Sequence, residues 1–212
     1  MAITRREFVT EAGLAVLAAA ALPALPAFAQ TPSTEELLRP GPLPEQVLGK
    51  ADAPVTIIEY ASMTCGHCAS FHKTTYPELK KRYIDTGKVR FIFREFPLDP
   101  LAAGAFMLAR CAGEGKYFPM VEMLFDHQDQ WAVRQPLPPL LALAKQAGFT
   151  EQSFNSCLQD DKLLKQVEAV RDRGAKEFGV NSTPTFFING KIEKGALTIQ
   201  QLESKIEPLL KS

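Results

Sequence analysis

The chain has 212 residues, enough for one large domain or for a small domain that carries an insertion, and its 46% hydrophobic content excludes disorder over the whole length. The 24 basic and 24 acidic residues cancel, so no overall charge predicts binding to nucleic acid or to an anionic surface. We therefore predict a globular protein without a nucleic-acid partner.

Residues 1–29 have the features of an export signal. The paired Arg5 and Arg6 precede a run rich in alanine, and Ala27-Phe28-Ala29 supplies small residues for a signal peptidase. The arginine pair resembles a twin-arginine signal, although a general secretory signal would look almost the same. An uncleaved membrane anchor is disfavoured, because the run contains two prolines and is short of the ~20 strongly apolar residues of a spanning helix. We expect cleavage near Ala29 and Gln30 and export to the periplasm, where disulfides persist.

Residues 30–54 are predicted to form an extended N-terminal arm. Five prolines lie in this stretch and apolar residues are scattered. Because proline fixes φ and has no N–H to donate, the pattern allows at most a short helix, at Thr34–Leu38.

The next residues predict a strand, a helix and a second strand. Val55–Tyr60 is rich in β-branched residues and does not alternate, which is typical of a buried strand. A helical pattern runs from Cys65 to about Ile84, and Pro77 predicts a break near Thr75. Lys88–Phe96 reads as the second strand. Such a βαβ unit has parallel strands.

A long helical region follows, and the chain then returns to strands. Asp99-Pro100 is an N-cap with a proline in the first turn. Five helices are predicted: Pro100–Ala112, Phe118–His127, Leu137–Ala147, Glu151–Leu158 and Lys162–Phe178. Trp131 falls in a loop between two of them and could be a surface residue or a substrate contact. Asn189-Gly190 predicts a hairpin between Thr185–Ile188 and a strand around Ile192. Thr198 and Gln201 form a capping box for a last helix to about Leu210.

The pattern Cys65-Gly66-His67-Cys68 stands where the first strand passes into the first helix. Backbone N–H groups and the positive end of the helix dipole favour a thiolate at this position, so we predict Cys65 to be the nucleophile. Cys68, one turn further, suits the resolving thiol of a redox-active disulfide. His67 could place a donor or a charge beside the Cys65 thiolate, or could be a polar surface residue.

Two further cysteines are predicted to form a structural disulfide. Cys111 ends the first helix of the helical region and Cys157 lies in the fourth, and an even pair in an oxidising compartment usually bonds. Two free buried thiols are the alternative.

A metal-binding module is the alternative from a different class. Cys65, Cys68 and His72 have the spacing of one helix face, and three such ligands could bind zinc or copper. A fourth ligand is not apparent, so we predict no metal and no other cofactor. We expect His72 to be an exposed helix residue.

The chain resembles the DsbA-like thiol:disulfide oxidoreductases, which are thioredoxin folds interrupted by a helical domain. The resemblance covers roughly Val55 to Leu210 and depends on the Cys-x-x-Cys, on Glu59 six residues before it, on the helical insertion and on Thr183-Pro184 before the third strand. It implies an α/β thioredoxin-like fold of residues 55–99 and 179–212, with residues 100–178 as the inserted helical subdomain.

The resemblance also implies roles for three residues outside the cysteine motif. Glu59 matches the buried acid that exchanges a proton with the inner cysteine, Cys68, and a carboxylate in an apolar strand is costly to bury without a task. A glutamate at a frayed strand end is the alternative. Pro184 matches the cis-proline that faces the active site, with Thr183 against the sulfurs and neighbouring backbone groups free to bind an extended substrate.

The implied function is donation of disulfides to exported proteins that contain free or mispaired cysteines. A membrane redox partner would restore the enzyme disulfide. The dipeptide between the cysteines, Gly66-His67, departs from the commonest Pro-His of the bacterial oxidases and is similar to that of protein disulfide isomerase. An isomerase or reductase with the same chemistry therefore stays open.

Overall fold

A mixed sheet of five strands forms the centre of residues 32–211, the part of the chain that the computed structural model describes. The strand order is β1-β3-β2-β4-β5. The strands are β1 (Gln46–Leu48), β2 (Val55–Ala61), β3 (Val89–Glu95), β4 (Thr185–Ile188) and β5 (Lys191–Lys194). β2 and β3 are parallel, as the βαβ prediction requires, and the other neighbours are antiparallel. The predicted export signal and its cleavage site lie outside the described residues.

The lack of alternation in β2 has a direct cause, because both faces of the sheet are covered. Ile57 belongs to the larger hydrophobic core, whereas Ile58 and Tyr60 belong to a second core on the opposite face. All three side chains are at most 2% exposed. The prediction of a buried strand at Val55–Tyr60 is therefore confirmed.

The N-terminal arm contains the predicted helix and an unpredicted strand. Helix α1 (Thr34–Leu38) begins with a capping box. β1 then pairs with the outer edge of β3. Arg94 of β3 fastens the arm, because its buried guanidinium donates to the carbonyl of Leu37 and to the carboxylate of Glu45.

The helical stretch after β2 breaks where proline predicts it. Helix α2 (Gly66–Thr74) ends at Thr75, α3 (Tyr76–Leu79) follows, and a π-helical turn (Lys80–Ile84) completes the stretch. Pro77 lacks the N–H that would continue the hydrogen-bond ladder of α2.

The helical region contains the predicted helices and one additional turn. The helices are α4 (Pro100–Cys111), α5 (Tyr117–Asp126), α6 (Gln128–Trp131), α7 (Leu137–Gln146), α8 (Glu151–Leu158) and α9 (Asp161–Phe178). α4 packs against α5, α8 and α9, and α5 also packs against α2. The Sγ atoms of Cys111 and Cys157 are 2.12 Å apart, as a disulfide between α4 and α8.

The structure decides the position of Trp131, which the sequence left open. Its side chain is fully buried, and its indole N–H donates to the carbonyl of Leu124 at 2.7 Å. Trp131 is thus a core residue at the end of α6 and is not available to a substrate.

The chain ends with the predicted hairpin and helix. Asn189 and Gly190 have φ values of 43° and 85°, which a two-residue hairpin turn requires. The Thr198 capping box starts α10 (Ile199–Ile206), and a 3₁₀ turn (Glu207–Leu210) follows. Between residues 32 and 211, the structure has no helix of the length and apolarity that crossing a bilayer requires.

Candidate active site

Cys65 lies at the junction of the loop after β2 and the first turn of α2. It is the N-cap residue, with extended backbone angles (φ −79°, ψ 118°), so the first N–H groups of the helix surround its side chain. Cys65 is 9% exposed, whereas Cys68, one turn along, is fully buried. Both are free thiols. Only the outer cysteine can be reached by another molecule.

The environment of Cys65 favours the thiolate. The hydrogen bond from the Cys68 thiol is the largest contribution, and Thr183 and the backbone N–H groups of Cys68 and His67 contribute further hydrogen bonds. Together they outweigh burial and lower the pKa of Cys65 to about 5.

The environment of Cys68 has the opposite effect. Burial raises the pKa of the Cys68 thiol well above its ordinary value, and the hydrogen bond to Cys65 and the negative charge of Glu59 raise it further. At neutral pH the pair therefore holds one thiolate, on Cys65, and one thiol, on Cys68. Such a pair can form and open a disulfide by exchange, with the outer sulfur as nucleophile or leaving group.

Thr183 and Pro184 lie directly opposite Cys65. The peptide bond between them is cis, as the resemblance implied. The Sγ atom of Cys65 is 3.3 Å from the carbonyl oxygen of Thr183, to which the protonated thiol can donate. The structure thus brings together the predicted cysteine pair and the predicted substrate-binding pair.

Glu59 and His72 form a buried pair beneath the cysteines. Glu59 is fully buried in the middle of the sheet, so it is not a glutamate at a frayed strand end. Its Oε2 atom is 3.0 Å from Nε2 of His72. The expectation of an exposed His72 is wrong: the residue is 5% exposed, because α5 covers this face of α2 with Phe125.

His67 contacts the site through its backbone. Its N–H is one of the groups that lower the pKa of Cys65, and its side chain is exposed. A role of its imidazole in catalysis stays a prediction.

Two polar contacts around the motif were not predicted. Gln128, in α6, donates to the carbonyls of Met63 and Cys65 at 2.7 and 3.1 Å and so ties the active-site loop to the insertion. Thr64 donates to Asp99, the N-cap residue of α4, at 2.6 Å. The N-cap signal of Asp99 was visible in the sequence. Nothing in the sequence around Gln128 indicated its contact, since it depends on the packing of a helix more than 60 residues away.

The described part of the chain contains no group of three or more histidine, cysteine, aspartate and glutamate side chains that could hold a metal ion. His72, one of the three residues of the alternative metal site, has its Nε2 atom in a hydrogen bond with Glu59.

The fold and the site together define the class of the protein. A Cys-x-x-Cys at the start of the helix after a central parallel strand, opposite a cis-proline, is the site of a thioredoxin-like fold, here with helices inserted between β3 and β4. A family model described as thioredoxin matches residues 43–208. The chain belongs to this family, among its DsbA-like thiol:disulfide oxidoreductases.

Three similar proteins illustrate the relationship. The crystal structure of alpha-DsbA1 from Wolbachia pipientis is 33% identical, with a TM-score of 0.77 over 84% of this chain and 96% of that one. Disulfide bond formation protein D of Bacillus subtilis is 29% identical over 79% of this chain and 78% of its own length. A Rickettsia bellii protein, which its name assigns provisionally to the protein-disulfide oxidoreductases, is 36% identical over 69% of this chain. The chain spans 57% of the length of that Rickettsia relative.

Proposed function

We propose that the protein is a periplasmic thiol:disulfide oxidoreductase that donates disulfides to exported proteins through Cys65 and Cys68. One observation carries the proposal: two adjacent thiols have opposite pKa shifts, and the one with the low pKa is the one that a substrate can reach. A stable thiolate on Cys65 favours the reduced dithiol and makes the disulfide form oxidising.

In the donating reaction the enzyme begins with a disulfide between Cys65 and Cys68. A thiolate of the substrate attacks Sγ of Cys65, the enzyme disulfide breaks, and Cys68 leaves and takes up a proton because its pKa is high. A second substrate thiolate then attacks the substrate sulfur of the mixed disulfide, and Cys65 leaves as a thiolate. Two electrons pass to the enzyme. Of the two protons that the substrate thiols lose, one ends on Cys68 and the other goes to solvent.

The surrounding residues have defined tasks in this reaction. Thr183 and Pro184 stand against Cys65, where backbone groups next to a cis-proline can bind an extended substrate segment during the mixed disulfide. Glu59, whose charge acts on Cys68, exchanges the proton of that thiol, directly or through water. His67 is exposed beside the sulfurs, where an imidazole can interact with the thiolate or with the substrate.

Turnover requires an electron acceptor outside the chain. The Cys65 thiolate attacks a disulfide of a membrane redox partner, and Cys68 then attacks Cys65, which restores the enzyme disulfide and leaves the partner reduced. Residues 1–29 have the pattern of an export signal, and export would place the protein where its substrates acquire their disulfides.

Thiol trapping in intact cells tests the direction of the reaction. Cells are treated with acid and then with a thiol reagent that adds mass, so that the redox state of Cys65 and Cys68 at steady state is preserved. A donor of disulfides should be found mainly oxidised. A mainly reduced pair would refute the donating role and favour an isomerase or reductase. Replacing Cys65 by serine should abolish exchange, and retained exchange would contradict its assignment as the nucleophile.

A further inference from the structure

His72 is the one histidine of the described residues that is both buried and bonded to a carboxylate, and the proposed reaction assigns it no task. It lies four residues after Cys68 in α2, so both side chains project from the same face of the helix. The partner of His72 is Glu59, whose charge acts on Cys68. His72 is therefore linked to Glu59 by a hydrogen bond, and Glu59 to Cys68 by its charge.

The imidazole of His72 is held in a fixed orientation. Its ring is stacked on Phe125, with 4.3 Å between centroids and 20° between planes, and it lies 4.8 Å from the ring of Tyr76. Phe71 and Phe93 approach from the sides with their rings nearly perpendicular to the imidazole. A ring enclosed on several sides by aromatic side chains cannot turn without displacing them.

The hydrogen bonds of the pair indicate where its proton lies. Nδ1 of His72 has no hydrogen-bond partner among the described residues, and neither has Oε1 of Glu59. A protonated Nδ1 would bury an N–H group without an acceptor, which destabilises the folded protein. The neutral ring with its proton on Nε2, donated to Oε2 of Glu59, avoids that cost. Oε1 is then the carboxylate oxygen left to exchange a proton.

We propose that His72 is a positioning residue for the proton exchange of Cys68. Its Nε2–H group occupies Oε2 of Glu59 and fixes the rotation of the carboxylate, so that Oε1 accepts the proton of Cys68 when that thiol attacks and returns it when Cys68 leaves. The other ionisable groups near this pair are Tyr76, whose ring lies tilted beside that of His72, and Glu122 of α5, whose charge acts on Tyr76. This inference depends on the proposed roles of Cys65 and Cys68.

Oxidation of the reduced protein by glutathione disulfide separates the attack of Cys65 from the attack of Cys68. In the first step the Cys65 thiolate attacks glutathione disulfide, forms a Cys65–glutathione bond and releases one glutathione thiolate. In the second step Cys68 loses its proton and attacks Sγ of Cys65, which forms the enzyme disulfide and releases the second glutathione. Acid quenching and mass spectrometry of the intact protein count the glutathione adduct over time. His72 acts in the second step alone.

Four variants test the inference. His72→Phe keeps an aromatic ring in the stack and removes the hydrogen bond, and it should slow the second step about tenfold, a part of what a general base contributes, with the first step unchanged. His72→Gln keeps a donor near the position of Nε2 and should stay within about threefold of the wild type. Phe106→Leu is the matched control for lost packing, because Phe106 is buried in the same core but is not one of the rings around His72, and it should also stay within about threefold. In a Glu59→Gln background, His72→Phe should add less than about a twofold effect, because His72 acts through Glu59.

Several results would overturn the inference. The second step could have a normal rate in His72→Phe, or His72→Phe and Phe106→Leu could lose the same amount. The two His72 variants could also lose the same amount, or His72→Phe could show its full additional loss in the Glu59→Gln background. If His72→Phe does not fold, His72→Leu replaces it in each comparison. A wild-type protein that forms neither the Cys65 adduct nor the Cys65–Cys68 disulfide, or that never resolves the adduct, would refute the proposed function itself. That result differs from a wild-type protein that reacts normally beside unaffected variants.

Discussion

Removing the Cys68 thiol should raise the pKa of Cys65, because the hydrogen bond from Cys68 is the largest of the contributions that lower it. Hydrogen bonds to charged groups contribute about 1.5–3 kcal/mol, which corresponds to roughly one to two pKa units. In Cys68→Ala, Cys65 should therefore titrate about one to two units above the wild-type pKa of about 5. Thr183 and the backbone N–H groups remain and keep the pKa below that of an ordinary cysteine.

The assay follows the ultraviolet absorbance of the thiolate of the reduced protein against pH, together with the rate of alkylation by iodoacetamide. With a pKa of about 5, Cys65 is about 99% thiolate at pH 7, whereas an ordinary cysteine is about 3% thiolate. Cys68→Ser, which keeps a hydrogen-bond donor, is the matched control and should titrate closer to the wild type. An identical midpoint in wild type and Cys68→Ala, or a wild-type midpoint above about pH 8, would refute the reasoning.

The same shift makes the stability of the reduced protein depend on pH. The pKa of Cys65 is lower in the folded state than in the unfolded state, so its contribution is fully present above the unfolded pKa and is lost as the pH falls through about 5. At pH 7 the contribution is roughly 2–3 kcal/mol. Urea unfolding of reduced wild type and reduced Cys65→Ser should show a stability difference that grows between about pH 5 and pH 8. A constant difference would contradict the low pKa.

Two further predictions concern stability away from the sulfurs of the active site. Replacing both Cys111 and Cys157 by alanine should lower the free energy of unfolding by roughly 4 kcal/mol, because their bond closes a loop of 46 residues and so reduces the entropy of the unfolded chain. Equal urea midpoints of wild type and variant would contradict a disulfide in the folded protein. Gly174→Ala should lower the free energy of unfolding by about 1–3 kcal/mol, because a Cβ there would lie 2.7 Å from the Tyr60 ring. Gly104→Ala is the control and should be neutral or stabilising, because its Cβ would lie 3.4 Å from its nearest neighbour. Equal midpoints of the two variants in thermal unfolding would refute the packing argument.

Much of the fold could be predicted because its local signals agree with its tertiary structure. The break at Thr75 follows from the chemistry of Pro77, and the hairpin from the backbone freedom of Asn189-Gly190, so neither depends on distant residues. β1 could not be predicted in this way. Gln46–Leu48 is three partly buried residues, too few for a hydrophobic pattern, and it is a strand because the edge of β3 is there to pair with it.

The candidate site was predictable where its residues form a local sequence motif or stand out from their neighbours in polarity. The cysteine pair is a motif, and Glu59 was conspicuous as a charge in an apolar strand. The pair of Glu59 with His72 was not predictable, because His72 is buried by Phe125, a residue more than 50 positions later on another helix. Gln128 was missed for the same reason. Burial of a polar residue on a helix face depends on what packs against that face.

The central claim is that Cys65 and Cys68 pass a disulfide to another protein. The most direct measurement mixes oxidised protein with a stoichiometric amount of a reduced two-cysteine substrate protein in the absence of oxygen, and counts thiols in both proteins by mass after acid quenching. Each disulfide gained by the substrate should be matched by one Cys65–Cys68 disulfide lost. A Cys68→Ala variant, activated at Cys65 as a mixed disulfide, should form a lasting covalent complex with a single-cysteine variant of the substrate, which has no second thiol to release Cys65. A substrate that stays reduced, beside an enzyme that keeps its Cys65–Cys68 disulfide, would contradict the claim.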